Sequence, residues 1–140
     1  MSELLDINKL YDGCFLYKYM KENPDVQIGI HPKCHQHYIT TKGQIYSKMC
    51  DKFMVGYIGR SNNNYHKVMI KYDGVKRNMR VHRLVAETFL PNDNNLPEVD
   101  HIDRNRINND ISNLRWVSRS ENMINRDMTN VGKKKSVTMV

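Results

Sequence analysis

Val99-Asp100-His101-Ile102-Asp103-Arg104-Asn105-Arg106-Ile107-Asn108-Asn109-Asp110-Ile111-Ser112-Asn113-Leu114-Arg115-Trp116-Val117-Ser118-Arg119-Ser120-Glu121-Asn122 is the stretch on which the reading of this chain turns. It opens on a short strand that carries an Asp-His pair. A polar, Asn-rich loop over 104–110 leads to a second strand over 113–117, with Leu114 and Trp116 on one face. Ser118 followed three residues later by Glu121 is a capping-box pattern, with Ser118 as N-cap and Glu121 at N3. A helix is therefore expected from about Arg119 to Arg126, carrying Asn122 in its first turn and Arg126 one turn later on the same face. Strand, loop, strand and helix make a compact ββα unit.

The side chains of this unit suit phosphodiester hydrolysis. That reaction needs a base to activate water, a cation to offset charge on the phosphate and the leaving oxygen, and a scaffold that holds both in line. His101 is a credible base, because an unperturbed imidazole titrates at about 6.5. Asp100 offers an anionic oxygen to a hard divalent cation, and Asn122 a neutral carbonyl oxygen. Neighbouring strand residues point to opposite faces, so a regular strand separates Asp100 from His101. Bringing both to one phosphate requires a local distortion or a site at the strand edge.

Outward from this unit, His82 to Phe89 reads as a short helix with Leu84, Val85 and Phe89 on its buried side and Pro91 beyond its end. Residues 38–81 read as a β meander. Tyr38–Thr41 and Gln44–Ser47 flank a Lys42-Gly43 turn, Phe53–Ile58 is a third apolar run, and Tyr65–Lys71 and Lys76–Val81 flank Tyr72-Asp73-Gly74. Lys and Arg on the outward positions of such a meander suit a DNA groove. Residues 1–35 are less legible. Leu4, Leu5, Ile7, Leu10 and Tyr11 suggest a short amphipathic helix, Phe15–Met20 a continuation or a second helix, and Asn23-Pro24-Asp25 a break. His31-Pro32-Lys33-Cys34-His35-Gln36-His37 gathers potential metal ligands, but the paired spacing of a zinc motif is missing, so a polar loop is expected there.

The chain has 140 residues and a formal charge of +7. Residues 1–59 contribute +1 and residues 60–140 contribute +6, so the basic excess lies where the ββα unit lies. That asymmetry favours a polyanionic partner, since neutralising phosphates releases counterions. No apolar run is long enough to span a bilayer and Met1–Asp6 lacks signal-peptide character, so an intracellular protein that is not secreted and does not enter membranes is expected. Three cysteines, Cys14, Cys34 and Cys50, do not suggest a disulfide framework. Asn occurs sixteen times, a bias compatible with an AT-rich viral or phage genome.

The run Val81–Pro91, then Val99–Asp103, Asn105, Asn108-Asn109 and Asn113–Val117, resembles the HNH endonucleases of phages and large DNA viruses, and among them the intron-encoded homing branch. The resemblance is strong over 80–127. More weakly, Tyr38–Ser47 resembles the small β module that precedes the nuclease in such proteins. It implies His101 as general base, Asp100 and Asn122 as ligands of one Mg2+ or Mn2+, and Asn113 as the residue that ties the loop and holds His101. Asn122 stands where the family name has His, which favours hard cations over zinc. Phosphate contacts are expected from Lys67, Lys71, Lys76, Arg77, Arg80, Arg104, Arg106, Arg115, Arg119 and Arg126.

The expectation is thus an α+β protein with an N-terminal β-rich segment followed by a ββα-metal (HNH) nuclease core. Residues 1–37 form a segment of unknown role, 38–81 a β-rich DNA-binding module, 82–128 the nuclease core, and 129–140 a basic tail with Lys133-Lys134-Lys135. The catalytic unit is expected to fold without residues 1–35. The function expected is metal-dependent cleavage of double-stranded DNA by a monomer, with structural zinc not expected. One rival is a non-catalytic DNA-binding protein that keeps the fold. Another is a zinc-binding interaction module built on His31–His37.

Overall fold

A computed structural model describes residues 3–11, 13–59 and 64–123. It is an α+β structure whose strands fall into three antiparallel sheets. The first sheet contains β1 (Ile28–Ile30), β2 (His37–Thr40), β3 (Ile45–Ser47) and β4 (Lys52–Phe53) in sequential order. The second contains β5 (Tyr57–Ile58), β6 (His66–Tyr72) and β7 (Val75–Arg80), and the third pairs β8 (Glu98–His101) with β9 (Leu114–Val117). Helix α1 is Phe15–Glu22, α2 is Val81–Phe89, and a further helix, α3, begins at residue 119.

The expected single meander over 38–81 is two sheets. The run Phe53–Ile58 divides at Gly56, whose φ is +66 and whose absent side chain would sit 2.4 Å from the Lys67 carbonyl oxygen. The chain turns there from the first sheet into the second, and only glycine fits so close a passage. The first sheet also begins earlier than expected. β1 lies inside the segment assigned to 1–37, yet it pairs with β2 from Ile28↔Thr40 to Ile30↔Tyr38. The amphipathic helix expected at Leu4–Tyr11 is reduced to a 3-10 turn at Ile7–Lys9. Leu4 bridges to Gly29 instead, so that backbone extends the sheet.

Helix α2 holds the parts together. Val81, His82, Leu84, Val85, Ala86 and Thr88 are all buried, which covers more than one face, as befits a helix surrounded by protein. Its core joins Ile39 and Ile45 of the first sheet, Val68 and Ile70 of the second, and Val99 and Leu114 of the third. Truncating a side chain such as Leu84 in such a core costs about 2–5 kcal/mol. The ββα unit therefore shares its core with β2 and β3 of the first sheet, whereas of residues 1–35 only Cys34 enters that buried core. Within 1–35, β1 pairs with β2, and Leu16 and Ile28 belong to a second cluster. The helix ends at Phe89 because Pro91 disfavours the helical conformation at Leu90. A second cluster of Leu16, Ile28 and Tyr46 seats α1 on the first sheet, with Phe53 and Phe15 packed edge to face beside them.

Candidate active site

β8 and β9 pair through Val99↔Trp116, Asp100↔Arg115 and His101↔Leu114. Directly opposed residues share a face, so the pleat places Val99, His101, Leu114 and Trp116 towards α2, and Asp100 and Arg115 on the other side. β8 is regular, and the separation foreseen for Asp100 and His101 is present. The two side chains lie back to back at the end of a two-stranded sheet, just before the chain turns. The turn is tight: the Arg104 amide bonds the His101 carbonyl at 2.9 Å, and Arg104 itself adopts a φ of +63.

His101 is buried, and its Nε2 lies 2.8 Å from Asn109 Oδ1. An amide oxygen only accepts, so Nε2 carries the proton and Nδ1 keeps its lone pair. Burial pushes the imidazole below its ordinary range, while the Asn109 bond and the charges of Asp100 and Asp103 act in the opposite direction. The ring also packs against His82, at 4.7 Å between centroids, and against Tyr65, at 6.0 Å. His82 stacks on Tyr65 at 5.0 Å. Burial, reinforced by the charges of His101, Arg80 and Arg83, pushes His82 down to about 3, so it is neutral near pH 7. Its Nδ1 is buried without a hydrogen-bond partner among the described residues.

Asn113, buried at the end of a 3-10 turn (Ile111–Asn113), uses its whole amide on the loop. Oδ1 accepts from the Asp103 backbone at 2.9 Å. Nδ2 donates to Asp103 Oδ1 at 2.8 Å and to the Asn108 carbonyl at 2.9 Å. Asp103 also accepts from the Asn105 amide in an Asx turn, and from the Asn108 side chain, whose bond is the main reason its carboxyl is held below the usual range. Asn113 thus closes the loop onto the strand ends, while Asn109 is the residue that touches His101.

Asp100 is buried and paired with Arg115, whose Nε and Nη2 both lie 3.0 Å from Oδ2. The capping box exists as drawn from the sequence: the Ser118 amide bonds Glu121 Oε1 and the Glu121 amide bonds Ser118 Oγ, each at 3.1 Å. Asn122 follows in the first turn of α3, its amide on the Ser118 carbonyl at 3.1 Å. Among the described residues no three His, Cys, Asp or Glu side chains gather as a metal-binding group. The oxygen donors Asp100 and Asn122 suit a hard cation. Arg115, which holds the Asp100 carboxylate, has a side chain that is itself 53% exposed. In the His31–His37 segment, His31 is occupied by the Lys33 and Cys34 amides and by Glu87 at 2.8 Å, and His35 by the Pro32 carbonyl.

The expected phosphate contacts separate into groups. Lys67 pairs with Arg80, Met69 with Asn78 and Lys71 with Lys76, which puts these six on one face of the β6–β7 ribbon. Arg77 falls on the other face, opposite Ile70, with its guanidinium 4.4 Å from the Tyr72 ring centroid. Arg80 and Arg106 both lie over the Tyr65 ring, at 4.7 and 5.1 Å. Arg106 also bonds Asn64 at 2.8 Å. Arg104 and Arg119 are exposed, Arg115 is committed to Asp100, and Arg126 and Lys133–Lys135 lie outside the described residues. The sequence reading missed Tyr65, Asn109 and the packing of His82 on His101. Asn109 had a signal in its place within the Asn-rich loop, whereas nothing local marks Tyr65.

Residues 79–124 match a family model described as HNH endonuclease. Over 119 residues the chain is 35% identical to an uncharacterised HNH endonuclease of Acanthamoeba polyphaga mimivirus, covering 84% of this chain and 36% of that protein. It is 32% identical over 108 residues to the DNA endonuclease I-HmuI of Bacillus phage SP01, covering 74% and 61%. A solved structure described as DNA binding and cleavage by the HNH homing endonuclease I-HmuI superposes with a TM-score of 0.58 at 29% identity, covering 75% of this chain and 61% of that one. The chain thus spans between about a third and three-fifths of the length of these relatives.

Proposed function

From the premise that residues 79–124 belong to the HNH endonuclease family, we propose that this protein is a metal-dependent DNA endonuclease that hydrolyses phosphodiester bonds site-selectively, in the manner of the homing class. The observation that carries this reading is the state of His101. It is a buried imidazole, pushed below its ordinary range by burial, whose Nε2 lies 2.8 Å from Asn109 Oδ1, next in the strand to the carboxylate-bearing Asp100. Substrate and partner follow from the relative whose solved structure is described as binding and cleaving DNA.

In this reading His101 Nδ1 takes a proton from water, and the resulting hydroxide attacks phosphorus in line with the departing sugar oxygen. Asn109 fixes the tautomer, and Asn113 acts through the loop as a positioning residue. Asp100 and Asn122 would hold one divalent ion, which when bound offsets the charge on the phosphate and leaving oxygen. Mg2+ and Mn2+ match an all-oxygen donor pair better than zinc does. Asp100→Ala would then need far more metal than wild type or stay inactive. Lys67, Lys71, Lys76 and Arg80 supply the sequence-independent hold on double-stranded DNA. Cleavage of supercoiled plasmid tests the reading: conversion to nicked or linear product with Mg2+ or Mn2+, none in excess chelator, and none by His101→Ala. Full-rate cleavage in chelator, or tight binding with no cleavage by wild type under any divalent ion, would overturn it; the second result would make the protein a DNA-binding one.

A further inference from the structure

The outward face of the β6–β7 ribbon is a track that ends at the candidate active site. Its rungs, from the turn inwards, are Lys71/Lys76, Met69/Asn78 and Lys67/Arg80. Beyond Arg80 comes Tyr65, on which the Arg80 guanidinium rests at 4.7 Å, and beyond Tyr65 the His101 ring at 6.0 Å. β5 pairs with β6 only at Lys67 and His66, so outward of Lys67 the ribbon is two strands wide. Its other face, through Val68 and Ile70, is fixed in the core beside α2, and β7 passes into α2 without an intervening loop. The track is therefore rigid with respect to His101. A two-stranded ribbon is also what the major groove admits.

One rung differs from the others. Lys71/Lys76 and Lys67/Arg80 are cationic and suit phosphates on either side of a groove. Met69, 47% exposed, and Asn78, also exposed, lie between them and carry no charge. We infer that Asn78, with Met69 across from it, reads one base pair in the major groove at a fixed offset from the cleaved bond. An Asn amide matches the N6/N7 edge of adenine with two hydrogen bonds, and a thioether suits the thymine methyl, so the pair read is A·T. The offset follows from the strand: four residues from Tyr65 to Met69 at about 3.3 Å each give roughly 13 Å, or about three to four base pairs at 3.4 Å apiece.

This inference rests on the DNA-cleaving reading above and adds to it which residues choose the site. The test is cleavage, by the full-length protein, of a DNA library randomised on both sides of the cut, with preference at each position taken as a ratio within each protein's own map. Wild type should prefer A·T about tenfold or more at one position two to five pairs from the cut. Asn78→Ala should bring that ratio to within about twofold of unity and leave the ratios at other positions in place. Asn78→Arg should move the preference to G·C, because a guanidinium matches guanine O6 and N7. A wild-type map with no preference in that window, or one that both variants leave unaltered, overturns the inference while the endonuclease reading stands. A wild type that cuts no DNA overturns both.

Discussion

Two hairpins in this molecule turn through glycines of positive φ and end in opposite circumstances. Gly74, φ +73, follows Asp73, φ +52, at the tip of the β6–β7 ribbon, and a side chain added there would meet nothing within 4 Å. Gly43, φ +87, turns β2 into β3, and an added side chain would lie 2.8 Å from both the Cβ and the carbonyl oxygen of Asn109. Asn109 is the residue bonded to His101 Nε2. The Ile111 amide, just beyond it, bonds the Thr41 carbonyl of the same hairpin at 2.8 Å. One hairpin is presented to solvent, and the other is a buttress under the loop that carries Asn109. In the reading proposed above, the N-terminal sheet is thus joined to the loop that holds His101, while the ribbon that lies nearer in sequence to the ββα unit is left open to DNA.

The largest effect should separate the two roles outright. In the proposed reading His101→Ala removes the base, so the cleavage rate should fall roughly 10²–10⁴-fold while DNA affinity stays within a few fold. Parallel measurements of single-turnover rate and equilibrium binding check this; a rate within a few fold of wild type removes His101 from its role. The complementary variant is Lys67→Ala with Lys71→Ala and Lys76→Ala. Affinity should fall by roughly 10², and the slope of log affinity against log salt should flatten by about 0.9 per lost phosphate contact. The rate at saturating DNA should stay near wild type. An unchanged salt slope would mean that the ribbon does not lie on the backbone.

A smaller effect concerns the buried histidines. His82 is pushed down to about 3 in the fold, against about 6.5 in the unfolded chain. Burial also lowers His37 and His101. Below about pH 6.5 the unfolded state binds protons that these side chains refuse, so stability is complete above that pH and declines as pH falls towards 3. Each such group contributes at most about 1.4 kcal/mol per pH unit. Urea unfolding at pH 7.5, 6 and 5 should show the midpoint moving down with pH, and His82→Phe should flatten that trend by up to one proton. A midpoint indifferent to pH over this range would show that these histidines are not held neutral.

How much of this was legible follows the distance over which each feature is made. The capping box of Ser118 and Glu121 and the position of Asn113 at the loop closure are local, and their residues lie within ten positions of one another. The Asp73-Gly74 turn is equally local, which is why β6 and β7 emerge close to their expected bounds. The division of Phe53–Ile58 between two sheets was not legible. It depends on Gly56 passing the Lys67 carbonyl, and an apolar run looks the same whether or not it is cut there. The contact of Gly43 with Asn109, and that of Tyr65 with His82 and His101, join segments far apart in sequence. No spacing in the chain announces them. The face of Arg77 is hidden for a related reason: it follows from the pairing with Ile70, which no local pattern marks.

The smallest effect is the one that addresses the two hairpins directly. Gly43→Ala and Gly74→Ala share a local cost, since each places a Cβ on a left-handed residue, worth roughly 1–2 kcal/mol. At Gly74 that is the whole effect, because the added methyl lies in open space. Stability should drop slightly, and the rate constant at saturating DNA should not change. At Gly43 the methyl meets the backbone of Asn109, which cannot rotate away as a side chain would. The loop must shift by some tenths of an ångström, and the shift passes to the 2.8 Å bond that holds the His101 tautomer. A displacement on that scale at a base should reduce the cleavage rate by about three- to tenfold, well short of the loss from deleting the imidazole. Asn109→Ala, which leaves the hairpin intact and removes the same bond, should lower the rate at least as far. Rates for the three variants at saturating DNA, with thermal melts to set aside any unfolded fraction, carry the comparison. Equal rates for Gly43→Ala and Gly74→Ala would mean that the N-terminal sheet contributes stability alone and that the loop holds His101 by its own hydrogen bonds.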